Sequence, residues 1–229
     1  LRRMIINQQL YQVPMKLELN TLARQYYWYC NYYGGYFDKV FQEAQGIKLE
    51  SYYKISAYFA MISCIDNGKE SEYIPVNSYL MNLIPSFGSG VVKKYLDLVS
   101  VKFNELRDFM SEFKDIKQRE NEYYLDTPMM MKPFILIDEG LIILSKHLLR
   151  ASLSSLVPTL LKDKHGSSYK DRFAKVMESY IGSILNELPS KIISEKEIIS
   201  IYKQNEVQSK TVDFIVREDV GTVYIDSKA

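Results

Sequence analysis

Thr211-Val212-Asp213-Phe214-Ile215-Val216 and, shortly after, Gly221-Thr222-Val223-Tyr224-Ile225-Asp226-Ser227-Lys228-Ala229 decide how this chain is read. Both segments are rich in β-branched and aromatic residues, and each carries one acid in an otherwise apolar run. They predict two strands, over 211–216 and 222–229. The linking residues Glu218-Asp219-Val220-Gly221 suit a short hairpin loop with Gly221 in the left-handed position. Such a loop pairs Arg217 with Thr222, Val216 with Val223 and Asp213 with Asp226. Residues directly across an antiparallel pair have Cβ atoms roughly 4.5–5.5 Å apart. Asp226 and Lys228, two residues apart, project to one face, and Val223 and Ile225 to the other.

Like charges that face each other across a sheet are destabilising, and a buried carboxylate costs more unless something neutralises it. A hard cation between the two aspartates would do so, because Mg²⁺ prefers carboxylate and water oxygens. Lys228, beside the pair, is placed to stabilise an attacking hydroxide or a phosphate oxygen. The plainer alternative is a partly exposed edge hairpin whose charges meet water, since D…DxK spacing also arises by chance.

The pattern VDFIV, a short hairpin and then VYIDSKA resembles motifs II and III of the PD-(D/E)XK nuclease superfamily, which has the restriction-endonuclease-like fold. The resemblance covers residues 168–229. It implies that Asp213 is the first metal-binding acid, that Asp226 fills the D/E position and that Lys228 is the motif lysine. The family commonly carries a further acid on the helix before the sheet. Glu178, in Phe173-Ala174-Lys175-Val176-Met177-Glu178-Ser179-Tyr180-Ile181, suits that role on the flank of the apolar stripe. Glu187 is a weaker rival.

The resemblance further implies Mg²⁺, with Mn²⁺ as a substitute, on Asp213, Asp226, the Ser227 backbone carbonyl and Glu178. It implies hydrolysis of DNA phosphodiester bonds to a 5′-phosphate and a 3′-hydroxyl. Lys210 matches a basic residue often found three positions before the first acid, although a strand-flanking lysine is the simpler reading. The family core is αβββαβ, and this chain ends one residue after Lys228. The resemblance therefore implies a core truncated at its C-terminus, and a start at Leu1-Arg2-Arg3 reads as a fragment of a longer parent.

Upstream of the hairpin, residues 168–188 have helical periodicity, with Phe173, Val176, Met177, Tyr180, Ile181, Ile184 and Leu188 as the apolar stripe. Pro189 ends the helix. Residues 190–206 form a polar stretch with some apolar positions. Lys162, Lys164, Lys170, Arg172 and Lys175 outnumber Asp163 and Asp171 just before and within the helix. With a loop over 162–166, the helix start would offer free N–H groups to phosphate, so these five residues and Lys210 are the candidate nucleic-acid contacts. The alternative is a solvated charged face.

Earlier still, Phe134-Ile135-Leu136-Ile137 and Leu141-Ile142-Ile143-Leu144 flank Asp138-Glu139-Gly140, a hairpin signal. Ser145 is a candidate cap for a helix that runs to Leu156 and stops at Pro158. The first 120 or so residues read as mostly helical. Helices are expected from Pro14 to Asn31, over 36–45 and over 50–64, punctuated by Gly34-Gly35, Gly46 and Asp66-Asn67-Gly68. Val92, Leu96, Val99, Phe103, Leu106, Met110 and Phe113 keep alternating spacings of four and three, which predicts one long helix. It would pack inside its own domain or, as a heptad seam, in a coiled-coil dimer. Tyr26-Tyr27-Trp28-Tyr29 and Tyr32-Tyr33 belong to a set of 19 tyrosines. Aromatics stack on unpaired bases, but on an apolar helix face they more often fill a core.

The expected fold class is α+β: a helical domain over 1–127, a hairpin and helical connector over 128–167, and a partial restriction-endonuclease-like α/β core over 168–229. Net charge is +1, from 29 basic and 28 acidic residues, so any grip on phosphate has to be local. No apolar run reaches membrane-spanning length. Two cysteines in separate segments suit a reducing, cytoplasmic compartment. There is no P-loop, nucleophile elbow or dinucleotide fingerprint. The expected function is a metal-dependent DNA endonuclease, with restriction or host defence as the role by analogy. The alternative is a non-catalytic module that binds nucleic acid or protein. The helical part would grip DNA, a protein partner or a second copy as a homodimer, and the sequence leaves these open.

Overall fold

Glycines and proline mark out the first helices. The computed structural model describes residues 15–32, 35–65, 69–112, 127–204 and 211–226. Helices α1 (Met15–Asn31), α2 (Tyr36–Gln45) and α3 (Leu49–Ser63) match the expected spans closely. Gly46, at φ 73°, closes α2 by donating its N–H to the Gln42 carbonyl. Asp38 then accepts from the Leu49 N–H at 2.6 Å, satisfying one of the free donors at the start of α3. Tyr33, Gly34 and 66–68 lie outside the described residues.

Many aromatics serve as core, but within the cluster over 26–32 only Tyr29 is buried, while Tyr26, Trp28 and Tyr32 are half-buried and Tyr27 is exposed. Tyr29, Tyr52, Phe37, Phe41, Phe59, Tyr95 and Phe134 are each about 1% exposed or less. Their rings meet mostly edge-on or tilted, as Tyr52 does with Phe41, Tyr53 and Tyr95. The hydroxyls inside this core are satisfied: Tyr52 donates to the Leu153 carbonyl and Tyr95 pairs with Ser56. Burial holds both phenols above their ordinary range.

A four-stranded sheet completes this part of the chain. After β1 (Glu72–Pro75) come α4 (Val76–Phe87), α5 (Ser89–Val99) and β2 (Ser100–Lys102). A 3₁₀ turn (Phe103–Glu105), α6 (Leu106–Glu112), β3 (Phe134–Ile137) and β4 (Gly140–Ile143) follow. The strand order is β1-β4-β3-β2, with β2 parallel to β3 and the other pairs antiparallel. The expected hairpin at Asp138-Glu139 is present. At Gly140 any Cβ would run into the Ile74 carbonyl of β1, so only glycine fits there.

The long heptad helix is replaced by α5, β2, a turn and α6. Ser100 is extended (φ −123°, ψ 156°), and its carbonyl and that of Asp97 accept from the Lys132 ammonium at 2.9 and 3.0 Å. Val92, Leu96 and Val99 are buried, but Phe103 is 66% exposed. Leu106 and Met110 instead pack on Val101, Met129 and Ile135. The apolar spacing is real, but a strand and a turn use it in place of a continuous helix. Phe113 lies outside the described residues, as do residues 117–126 of the expected junction.

The chain divides into two compact units, Leu1–Leu161 and Lys162–Ala229. The hairpin expected in a connector over 128–167 is thus part of the first unit, paired to β1 and β2. Helix α7 (Lys146–Leu185) is capped by Ser145, whose hydroxyl accepts from the Leu148 N–H, and it runs through Pro158. Burial of Leu153, Leu156, Val157 and Leu161 outweighs the roughly 3 kcal/mol that an interior proline costs. Residues 162–165 are helical, so the expected loop shrinks to one break at Gly166 (φ 49°, ψ −120°).

In the second unit, residues 167–185 of α7 are followed by β5 (Lys191–Ser194), α8 (Glu195–Gln204), β6 (Phe214–Glu218) and β7 (Gly221–Ile225). The three strands form an antiparallel sheet in the order β5-β6-β7. Leu185, Phe214 and Val216 are its buried centre, with Ile181, Ile192 and Ile225 packed around them. The expected stripe holds at Val176 and Ile181, but Ile184 and Leu188 are exposed. Where the sequence read as an undifferentiated polar stretch, Glu197 makes the return half of a capping box with Ser194. Glu197 accepts from the Ser194 N–H (2.7 Å) and hydroxyl (2.9 Å) and starts α8.

Candidate active site

The hairpin sets the first part of the site. Arg217 pairs with Thr222 and Val216 with Val223, as the sequence predicts. Glu218 and Gly221 pair as well, so the turn is only Asp219-Val220. Gly221 is a ladder residue and is not among the glycines at positive φ. The last ladder pair is Phe214 with Ile225. The ladder stops there, so the expected Asp213–Asp226 pair is not part of it: Asp213 lies at a bend just before β6 and Asp226 just after β7. Asp213 is half-buried and Asp226 exposed. The aspartates therefore flank the sheet end rather than sitting inside it, and water relieves part of the repulsion that a buried pair would feel.

Asp213 is fixed through its backbone. Its carbonyl accepts from the Glu195 N–H at 2.8 Å, at the start of α8. The Glu195 carboxylate accepts from the Thr211 hydroxyl at 2.9 Å. The Glu197 contact with Ser194 therefore bears on the site, because the helix start that it secures also anchors the residue before β6.

Helix α7 supplies the opposite wall. Asp171, Ala174, Lys175 and Glu178 lie three, four and seven residues apart and so share one face. Together with Asp213 they line a cleft of about 440 Å³. The small side chain of Ala174 leaves this space open. Two of the expected acids, Glu178 and Asp213, are thus gathered from a helix and a sheet more than thirty residues apart in sequence. Asp226 is not among the described residues that line the cleft. Ser227, Lys228 and Lys210 lie outside the described residues. Glu187 is exposed beyond the end of α7.

Of the expected basic contacts, Lys175 lines the cleft. Lys162, Lys164 and Lys170 are exposed on α7, and Arg172 is half-buried. The sequence reading missed Asp171, which it counted only as a counter-charge. Its helical spacing from Glu178 was the signal that could have placed it. Three carboxylates and one ammonium give the cleft a formal charge of −2, an environment suited to a cation.

Among the described residues, no three of His, Cys, Asp and Glu gather into a group that could hold a metal ion. Mg²⁺, however, keeps several waters and is commonly bound by one or two carboxylates together with substrate phosphate oxygens. Glu178 and Asp213 meet that requirement in number and in donor type. Carboxylate donors with no His or Cys among them suit Mg²⁺ or Mn²⁺ better than Zn²⁺, which is most often held by His and Cys. Among the described residues, no helix is long and apolar enough to cross a membrane. No family model, curated protein or solved structure matches the chain.

Proposed function

We propose that this protein is a metal-dependent endonuclease that hydrolyses DNA phosphodiester bonds, built on a restriction-endonuclease-like core. The observation that carries the reading is the cleft lined by both Glu178 of α7 and Asp213, with Asp226 one residue past the last paired position of β7. The order of elements supports it: a helix bearing one acid, then three antiparallel strands with the other two acids at the end of the second hairpin. That order resembles the first part of an αβββαβ core, and departs from it in having α8 between the first two strands.

In this reading Glu178 and Asp213 would hold Mg²⁺ or Mn²⁺, with Asp226 and the Ser227 carbonyl as further donors. The ion supplies Lewis-acid stabilisation of charge on the phosphate oxygens and a more acidic water. Lys228 orients the nucleophile. The hydrogen bond to the Asp213 carbonyl holds the backbone from which its carboxylate projects. Lys162, Lys164, Lys170, Arg172, Lys175 and Lys210 contribute cationic charge for the DNA backbone, and binding should weaken steeply with salt.

The test is cleavage of supercoiled plasmid and single-stranded DNA with Mg²⁺ or Mn²⁺, comparing the protein with Glu178→Ala, Asp213→Asn, Asp226→Ala and Lys228→Ala. Loss of a ligand or of the lysine is expected to lower the rate by at least about 100-fold. Cutting that survives all four changes would sink the site.

A second reading is a non-catalytic binding module, favoured by the absence of a three-acid metal group among the described residues. A folded protein that binds DNA, takes up no Mn²⁺ and cuts nothing would support it.

A further inference from the structure

We infer that Lys175 is the residue that holds the phosphate of the strand being cut, and that it differs in role from the other basic residues of α7. This inference rests on the nuclease reading above.

Along the cleft face of α7 the order is Asp171, Lys175, Glu178, each about one turn, or roughly 5 Å, from the next. Among the described residues, Lys175 is the one cation in a lining that otherwise carries three carboxylates. A phosphodiester that approached such a lining without it would meet only like charge. With a divalent ion on Glu178 and Asp213, the formal charge of the cleft returns to zero. The positive end of the remaining field is then the Lys175 ammonium, one turn from the ion. A lysine presents three donors as a compact charge on a flexible stem, which suits a phosphate oxygen that does not share the metal. Among the described residues no ion pair or hydrogen bond engages this ammonium, so its donors remain for a ligand.

Lys162, Lys164 and Lys170 are exposed on the same helix but do not line the cleft. They are placed to meet phosphates remote from the reacting one.

Lys175 transfers no proton. In the hydrolysis a water oxygen forms a bond to phosphorus and the P–O3′ bond breaks. The 3′-oxygen leaves as a hydroxyl with the proton that water gives up. Lys175 stays an ammonium throughout and acts by holding a non-bridging phosphate oxygen, so it fixes where the phosphorus sits relative to the acids.

The experiment measures steady-state plasmid cleavage and Mn²⁺ affinity for the protein and for Lys175→Ala, Lys175→Gln, Lys175→Arg and Lys170→Ala. Each fold is checked by circular dichroism, and the glutamine variant replaces alanine if the latter does not fold. The expected result for Lys175→Ala is a loss of about tenfold or more in kcat/KM. Lys175→Arg should recover most of that loss. Lys170→Ala, which removes a remote phosphate contact, should act through KM alone and by a smaller factor of about two to three, and Mn²⁺ affinity should be unchanged or tighter in every variant. Equal effects of Lys175→Ala and Lys170→Ala overturn this inference alone, as does a loss of Mn²⁺ binding in Lys175→Ala. An unsubstituted protein that takes up Mn²⁺ but cuts neither plasmid nor single-stranded DNA overturns the nuclease reading and this inference together.

Discussion

Asp213 and Asp226 show what single residues disclose. Counting back through a hairpin whose side chains alternate with period two predicts that they pair; the observed register agrees from Arg217 to Phe214 and stops one residue short of them. Their depth could not be counted, because how far a ladder extends depends on packing that the pattern does not carry. Asp171 was hidden for a related reason: between Lys170 and Arg172 it reads as one more charge on a solvated helix. Gly140 shows the opposite case, a residue whose role is clear only once β1 is beside it. Gly140→Ala places a methyl group against the Ile74 carbonyl. It should destabilise the first unit by about 2 kcal/mol, seen as a lower urea midpoint with the β6–β7 hairpin unaffected. An unchanged midpoint would mean that β1 moves aside without cost.

Secondary elements were legible where their punctuation was local. α2 begins and ends where glycines place it, and Ser145 caps α7 as its position suggests. The heptad seam misled because three-and-four spacing records burial on one side, which a strand and a 3₁₀ turn can also satisfy. The start of α7 has a second device that spacing could not reveal. Glu70, distant in sequence, accepts from the Ser145 hydroxyl (2.6 Å) and the His147 N–H (3.2 Å). The Ser145 hydroxyl bond first, and then the His147 N–H with nearby cationic charge, hold the Glu70 carboxyl below its usual range. A depressed folded pKa adds stability above the unfolded value of about 4.3, and that stability is lost as pH falls through the folded pKa. Glu70→Gln should therefore cost about 0.5 kcal/mol at neutral pH, allowing for solvent screening. It should also flatten the acid limb of the stability curve below about pH 4.5. Urea melts across that window measure both, and an acid limb unchanged in the variant would assign the effect to other carboxylates.

At the scale of the molecule, the class α+β was readable from the change of texture along the chain, whereas the partition was not. Residues 134–143 look like the opening of a new domain, yet β4 is bonded to β1 and β3 to β2, strands from the segment read as helical. A fragment that starts at residue 128 leaves both edges of this hairpin without partners. It should lose the dispersed amide signals of 134–143 in its NMR spectrum while the whole chain retains them. Retained dispersion would show that the hairpin needs neither neighbour.

The chain's one tryptophan, Trp28, lies in α1 among the tyrosines of the first unit. The second unit, Lys162–Ala229, has only tyrosines as chromophores of comparable strength. Light emitted near 350 nm is thus a private report from the half of the molecule without the candidate cleft. A fluorescence melt will record the aromatic core coming apart and will be blind to whether the acids around Asp213 are still in place.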